Sequence, residues 1–144
     1  MPEFNEKAMK QFNENLITEF RANGGKAVSG PFVNAPLMLL TTTGAKSGKP
    51  FTTPLVYTKD GDRMVIIASK GGFPKHPAWY HNLKAHSTTT IEVGKEKFQA
   101  KAVITKDPER QRLFDAQAKL MPTFNEYQKA TTRQIPVIAL ERIS

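Results

Sequence analysis

Apolar and polar positions alternate along this chain in two periods. From residues 5–22, Met9, Phe12, Leu16 and Phe20 recur three or four apart, the spacing of one face of an amphipathic helix. Gly24-Gly25 ends it. Residues 26–35 read as a loop marked by Gly30-Pro31 and Pro36. Short apolar and β-branched runs then predict strands at 37–43, 52–58 and 63–69. A loop at 44–51 joins the first two, and Lys59-Asp60-Gly61-Asp62 forms a hairpin turn before the third. A short helix is expected at 77–85. A hairpin at 88–93 and 97–105 turns around Gly94-Lys95-Glu96. Asp107-Pro108-Glu109 supplies a cap, a first-position proline and a first-turn acid for a helix running to about Leu120. Pro122 interrupts it, a short helix covers 123–130, and 136–142 is a closing strand. Hairpin-linked strands with helices at the ends imply a mainly β, α+β domain. Its sheet is antiparallel, with six or so strands in a small barrel or half-barrel.

Length and composition narrow this further. The chain has 144 residues, enough for one domain (1–144) with a sizeable core. No apolar run approaches a membrane span, and the polar first residues lack the apolar stretch of a signal peptide. Cysteine is absent, which excludes disulfides, thiolate zinc sites, iron–sulfur clusters and a cysteine nucleophile. A cytoplasmic location is expected, with peripheral membrane contact through the 5–22 helix as an added possibility. The formal net charge of +8 favours anionic partners. Lys46 and Lys49 lie in one glycine-containing loop, and Lys70, Lys75 and Lys84 in or near another.

The second of those loops is the most informative. Ser69-Lys70-Gly71-Gly72 follows an apolar strand, and Pro77-Ala78-Trp79-Tyr80-His81-Asn82 opens a short helix. A basic glycine loop leading to free helix N–H groups suits an anion. Trp79 and Tyr80 add flat surfaces for a ring, although Tyr80, like Tyr57, reads equally as core. The first loop, Gly44-Ala45-Lys46-Ser47-Gly48-Lys49-Pro50, lacks the Walker spacing, so nucleotide triphosphatase activity is not expected. It reads as a phosphate- or carboxylate-binding loop or as a plain hairpin turn. His76, His81 and His86 are five apart, which does not place metal ligands on one helical face. No nucleophile elbow is present. Met121, Phe124 and Tyr127, spaced three apart near a helix break, read as core or as pocket lining.

These residues in this order resemble a known family. The set Leu40-Thr41-Thr42-Thr43-Gly44-Ala45-Lys46-Ser47-Gly48, Thr53-Pro54-Leu55-Val56-Tyr57, Ala68-Ser69-Lys70-Gly71-Gly72 and Pro77-Ala78-Trp79-Tyr80-His81-Asn82-Leu83 carries the likeness. With Tyr127-Gln128, Thr132-Arg133 and Ile135-Pro136-Val137, it is similar to the deazaflavin (coenzyme F420)-dependent nitroreductases of actinobacteria. The resemblance spans about Leu37 to Leu140. It implies a split β-barrel of the flavin-reductase, FMN-binding type. It also implies a reduced deazaflavin cofactor with a phosphate and a polyglutamate tail. Hydride would pass to an electron-poor acceptor such as a quinone, enone, unsaturated lactone or nitroaromatic.

The site residues follow from the resemblance. Lys46 and Ser47 would hold the tail, with Lys49 as an extra charge. Pro54, Leu55 and Val56 would present backbone to the deazaflavin. Ile67, Ala68, Ser69 and Lys70 would bind the phosphate and ring edge, and Ala78, Trp79, Tyr80, His81 and Asn82 would line the cleft. Met121, Phe124 and Tyr127 match positions near the substrate, with Tyr127 a candidate proton donor. Phe51 departs from an arginine common in relatives, and Met121 and Phe124 replace tyrosines of the nitroimidazole-activating member. That departure argues against nitro reduction. Flavin mononucleotide is the alternative cofactor. Single-stranded nucleic acid stacked on Trp79 and Tyr80 is the alternative ligand, but it is disfavoured because the aromatics share one loop. The sequence leaves the oligomeric state open.

Overall fold

The computed structural model describes residues 6–28, 33, 35–69 and 76–143. Helix α1 (Glu6–Ala22) precedes β1 (Leu37–Thr43), β2 (Pro50–Val56), β3 (Thr58–Asp60) and β4 (Arg63–Ile67). Then come α2 (Ala78–Ala85), β5 (Thr88–Val93), β6 (Glu96–Ile104), α3 (Glu109–Leu120), α4 (Thr123–Lys129) and β7 (Val137–Arg142). The seven strands form one sheet in the order β2-β1-β5-β6-β7-β4-β3, with every pairing antiparallel.

Period two along the strands explains how this sheet buries both faces. On β1, Met38 and Leu40 point to one side and Leu37 and Leu39 to the other, and all four are buried. On β4, Met64 and Ile66 face inward while Val65 and Ile67 face outward. The inward set joins Ile91 of β5, Ala100 and Ala102 of β6, and Ile138 and Leu140 of β7 in one cluster. β1 and β4 stand four places apart in the sheet, yet their inward side chains share that cluster. The sheet therefore curls around its core, and Trp79, Tyr80 and Leu83 of α2 complete the interior. Outside, α3 and α4 cover Val65, Ile67 and Val137 with Leu113, Phe114 and Phe124. Leu16 and Phe20 of α1 cover Leu37 and Leu39.

Several expected boundaries shift, each for a physical reason. The second strand begins at Pro50 instead of residue 52 and breaks at Tyr57. It is an edge strand, where Pro50 and Pro54 lose no partner for their missing N–H. The expected strand 52–58 is thus cut at Tyr57, and β3 takes Thr58 together with Lys59 and Asp60 of the expected turn, so the sheet has seven strands where about six were expected. Pro77 and Pro108 stand one position before their helices, as caps, and not at the first helical position. Asp107 does not cap α3; its carboxylate instead takes Arg110 and Gln134. Among the described residues, the apolar stripe of the first helix is buried only toward its C-terminal end. Leu16 and Phe20 are buried, Phe12 is 40% exposed, and the Met9 side chain lies outside the described residues. Among the described residues no helix is long and apolar enough to cross a membrane.

Candidate functional site

The β1–β2 hairpin carries the first basic loop. Gly44 N–H donates to Lys49 C=O at 2.8 Å, and Gly48 N–H to Gly44 C=O at 3.0 Å. A Cβ at Gly44 would lie 2.5 Å from Ser47 Oγ and 2.9 Å from the Phe51 ring, so a larger residue there requires those two side chains to move. Lys46, Ser47 and Lys49 are exposed. The loop is a hairpin turn, and it presents its lysines to solvent. Ser47 Oγ accepts the Lys49 N–H at 3.2 Å, which shapes the turn from within.

Asn82 of α2 ties that loop to the barrel. Its Nδ2 donates to Thr42 Oγ1 at 3.0 Å, and its Oδ1 accepts the Ala45 N–H at 3.0 Å. Asn82 is buried and committed on both sides. It was expected to line a cleft; in the fold it fixes the first loop against α2.

The end of β4 approaches the other side of α2. Ala68 N–H donates to Pro136 C=O, while the carbonyls of Ala68 and Ser69 accept from Arg133 at 3.1 and 2.7 Å. Ile67, Ala68 and Ser69 are buried, and the Ile67 side chain packs under α3 and α4. Lys70, with the glycines after it, lies outside the described residues. Arg133 also reaches His76 Nδ1 at 3.0 Å. His76 packs tilted against Tyr80 and edge-on to His81 with ring centroids 4.6 and 5.9 Å away, and Lys84 Nζ lies 5.6 Å from the Tyr80 ring centre. Burial holds the His76 imidazole below its ordinary value, and the neighbouring Arg133, His81 and Lys84 charges add to that. Burial also lowers the Arg133 guanidinium.

Trp79 and Tyr80 do not offer open faces. They are 6% and 9% exposed, inside the barrel cluster. This removes the stacking platform that the nucleic-acid alternative required. Ala78 and His81 are exposed at the start of α2, and Pro54, Leu55 and Val56 are half-buried on the edge strand. Phe124 is core, packed edge-on to Tyr127 at 5.5 Å, whereas Met121 and Tyr127 are half-buried beside it. Met121 lines an open groove of about 490 Å³ with Pro36, Tyr57, Thr58, Lys59, Ala116 and Leu120. A second groove of about 430 Å³ is lined by Thr41, Thr42, Thr43, Pro50, His86, Ser87, Thr88, Thr89, Thr90 and Gln99.

The donor set suits a polyanion. The sequence holds no Asp or Glu from Phe20 through Lys59, nor from Arg63 through Ile91, the stretches that supply the first loop, the end of β4 and α2. Lys46, Lys49 and Lys84 lie within these acid-free stretches, and Arg133 contacts Ala68, Ser69 and His76 of the second. Among the described residues no three His, Cys, Asp or Glu side chains could hold a metal. Arg133, His76 and Lys84 did not figure among the expected site residues. The Thr132-Arg133 and His76-Pro77 pairs were visible, but a contact between residues 57 apart carries no local signal.

A curled antiparallel sheet with helices outside and a basic rim is a split β-barrel of the flavin-reductase type. The profile of the F420H(2)-dependent quinone reductases matches residues 14–142, and the chain belongs to that family. It is 46% identical over 110 residues to an F420H(2)-dependent quinone reductase of Mycobacterium tuberculosis, covering 74% of each chain. A solved F420-H2-dependent reductase is 39% identical with a TM-score of 0.68, covering 74% of this chain and 94% of its own. Another solved relative, described as a domain-swapped dimer, is 33% identical with a TM-score of 0.71. It covers 95% of this chain and all of its own.

Proposed function

We propose that this protein binds coenzyme F420 and, with the reduced form, reduces quinones. The observation that carries the reading is the acid-poor cationic rim joined by Asn82 and Arg133, on a barrel of this family. When bound, the reduced deazaflavin supplies a hydride; the protein binds, orients and excludes water. Lys46 and Lys49 hold the anionic tail, with the Ser47 hydroxyl beside them. Ile67, Ala68 and Ser69 lie at the phosphate end, with Lys70 next in sequence, although the N–H of Ala68 is committed to Pro136 and the carbonyls of Ala68 and Ser69 to Arg133. Pro54, Leu55 and Val56 flank the ring from the edge strand. Ala78 and His81 face the cofactor from α2, while Trp79, Tyr80 and Asn82 support it from within.

Holding donor and acceptor together supplies much of the acceleration. Met121 and Tyr127 line the acceptor side, and Phe124 backs them as core. Negative charge developing on the acceptor oxygen needs a hydrogen-bond donor, a role for the Tyr127 hydroxyl. Tyr127→Phe is expected to lower kcat by about tenfold or more with KM little changed. Unchanged turnover removes that role.

The reading is tested by titrating oxidised deazaflavin, flavin mononucleotide and a short single-stranded oligonucleotide while following Trp79 fluorescence. A quinone-reduction assay with reduced deazaflavin then follows. Binding of flavin mononucleotide or oligonucleotide in place of deazaflavin overturns the proposal. A peripheral membrane contact would rest on Phe12 among the described stripe residues, since Leu16 and Phe20 are docked. Liposome sedimentation of the full chain and of Phe12→Ser decides it: equal sedimentation removes the contact.

A further inference from the structure

Arg133 joins the residues on either side of 70–75. One guanidinium reaches Ala68 C=O at 3.1 Å, Ser69 C=O at 2.7 Å and His76 Nδ1 at 3.0 Å. Its Nη1 carries two hydrogens, one for Ala68 and one for His76, and Nη2 serves Ser69. A guanidinium can only donate. His76 Nδ1 must therefore accept, which leaves the proton of a neutral imidazole on Nε2. A protonated His76 could not accept this bond at all. The groups around the ring agree with a neutral state: Arg133 on one side, and His81, Lys84 and the Tyr80 ring on α2.

We propose that Arg133 is a positioning residue of the cofactor site. It fixes the Ala68–Ser69 backbone and holds His76 as the neutral tautomer with its proton on Nε2. The cofactor role rests on the deazaflavin reading above; the tautomer does not. Lysine would keep the charge at this position, but its single ammonium lacks the planar fork that spans two carbonyls and a ring nitrogen.

Two arms test this. In the first, the ligand-free protein is labelled with 15N-histidine and examined by long-range 1H–15N NMR. Nδ1 of His76 is expected to be unprotonated at neutral pH. In Arg133→Met the tautomer preference is expected to weaken and the His76 pKa to rise. A proton on Nδ1 in the unaltered protein overturns the clamp, even if the Met variant fails to fold. In the second arm, oxidised deazaflavin is titrated into the unaltered protein, Arg133→Met and Arg133→Lys. The Met variant is expected to bind about tenfold more weakly or worse. The Lys variant should recover less than half of that loss on a logarithmic scale. Binding by Arg133→Lys equal to the unaltered protein would mean that charge alone matters, and would overturn the positioning role. No deazaflavin binding by the unaltered protein overturns the reductase reading and the cofactor role together, and the NMR arm still decides the clamp.

Discussion

Asn82 aims a donor at one strand and an acceptor at one loop, so its loss strands two partners at once. Thr42 Oγ1 would lose its hydrogen bond in the barrel, and the Ala45 N–H would lose its acceptor in the loop that bears Lys46 and Lys49. Removing one member of a buried hydrogen-bonded set costs about 1–3 kcal/mol. Asn82→Ala is therefore expected to lower stability by that amount in urea denaturation. It should also weaken deazaflavin binding in the fluorescence titration, because the loop is no longer held against α2. Full affinity in a destabilised Asn82→Ala would show that the loop keeps its shape without this tie. Glycines show the same contrast between local and long-range demands. Gly61 and Gly25 both have positive φ, +61° and +91°. A Cβ on Gly61 meets nothing within 4 Å, whereas on Gly25 it would lie 2.3 Å from Gly94 Cα. Gly61→Ala should cost about 1–2 kcal/mol from its backbone conformation alone. Gly25→Ala should cost distinctly more, because the end of α1 and the β5–β6 turn must part. Thermal melts of the two variants give the comparison.

Among elements, the β3–β4 hairpin is held to α3 by charge. Asp60 accepts from Arg112 at 3.1 and 3.3 Å and from Arg63 at 2.6 Å, while Arg63 also reaches Glu109 at 3.0 Å. The Arg112 and Arg63 hydrogen bonds lower the Asp60 carboxyl from 3.8 to about 2. Its folded pKa is depressed, so its contribution is present above the unfolded value and is lost as pH falls through the folded value. Stability should decline between about pH 4 and pH 2 as Asp60 protonates. Asp60→Asn should flatten that part of the profile in urea melts across the range. An unaltered slope would place the acid sensitivity in other carboxylates. The exposure of this network keeps its contribution small at neutral pH.

At the scale of the whole molecule, the relevant quantity is where the charge lies. The net charge is +8, but the acids cluster outside the stretches that form the rim. A polyanion at the rim then meets cations with few competing carboxylates, and its attraction is screened over roughly 10 Å at 0.1 M salt. Deazaflavin affinity should fall steeply with added salt, and flavin mononucleotide, with one phosphate, should bind more weakly with a shallower slope. Lys46→Ala should weaken deazaflavin binding by roughly three- to tenfold at low salt and by less at high salt. A salt-independent affinity would remove the tail-binding role of the first loop.

Local signals were legible to the extent that they repeat within a few residues. Strand positions 37–43 and 88–93 match the sequence expectation because apolar and β-branched runs there end at the Gly44 and Gly94 turns. The split barrel and the cofactor class were legible through the ordered loop motifs and the positive charge. Ends were less so: Pro50 joins a strand because β2 proved to be an edge, which is a property of the sheet order and not of the residue. Trp79 looks the same in sequence whether it faces a ligand or a core, and only the curl of the sheet puts it inside. Asn82 reaches Thr42 from 40 positions away, and Arg133 reaches Ala68 from 65. The chain by itself determined its elements, its charge and its family, because those depend on neighbours in sequence. Tertiary structure decided which polar side chains are committed inside the protein and which remain for a ligand, because a hydrogen bond depends on separation in space.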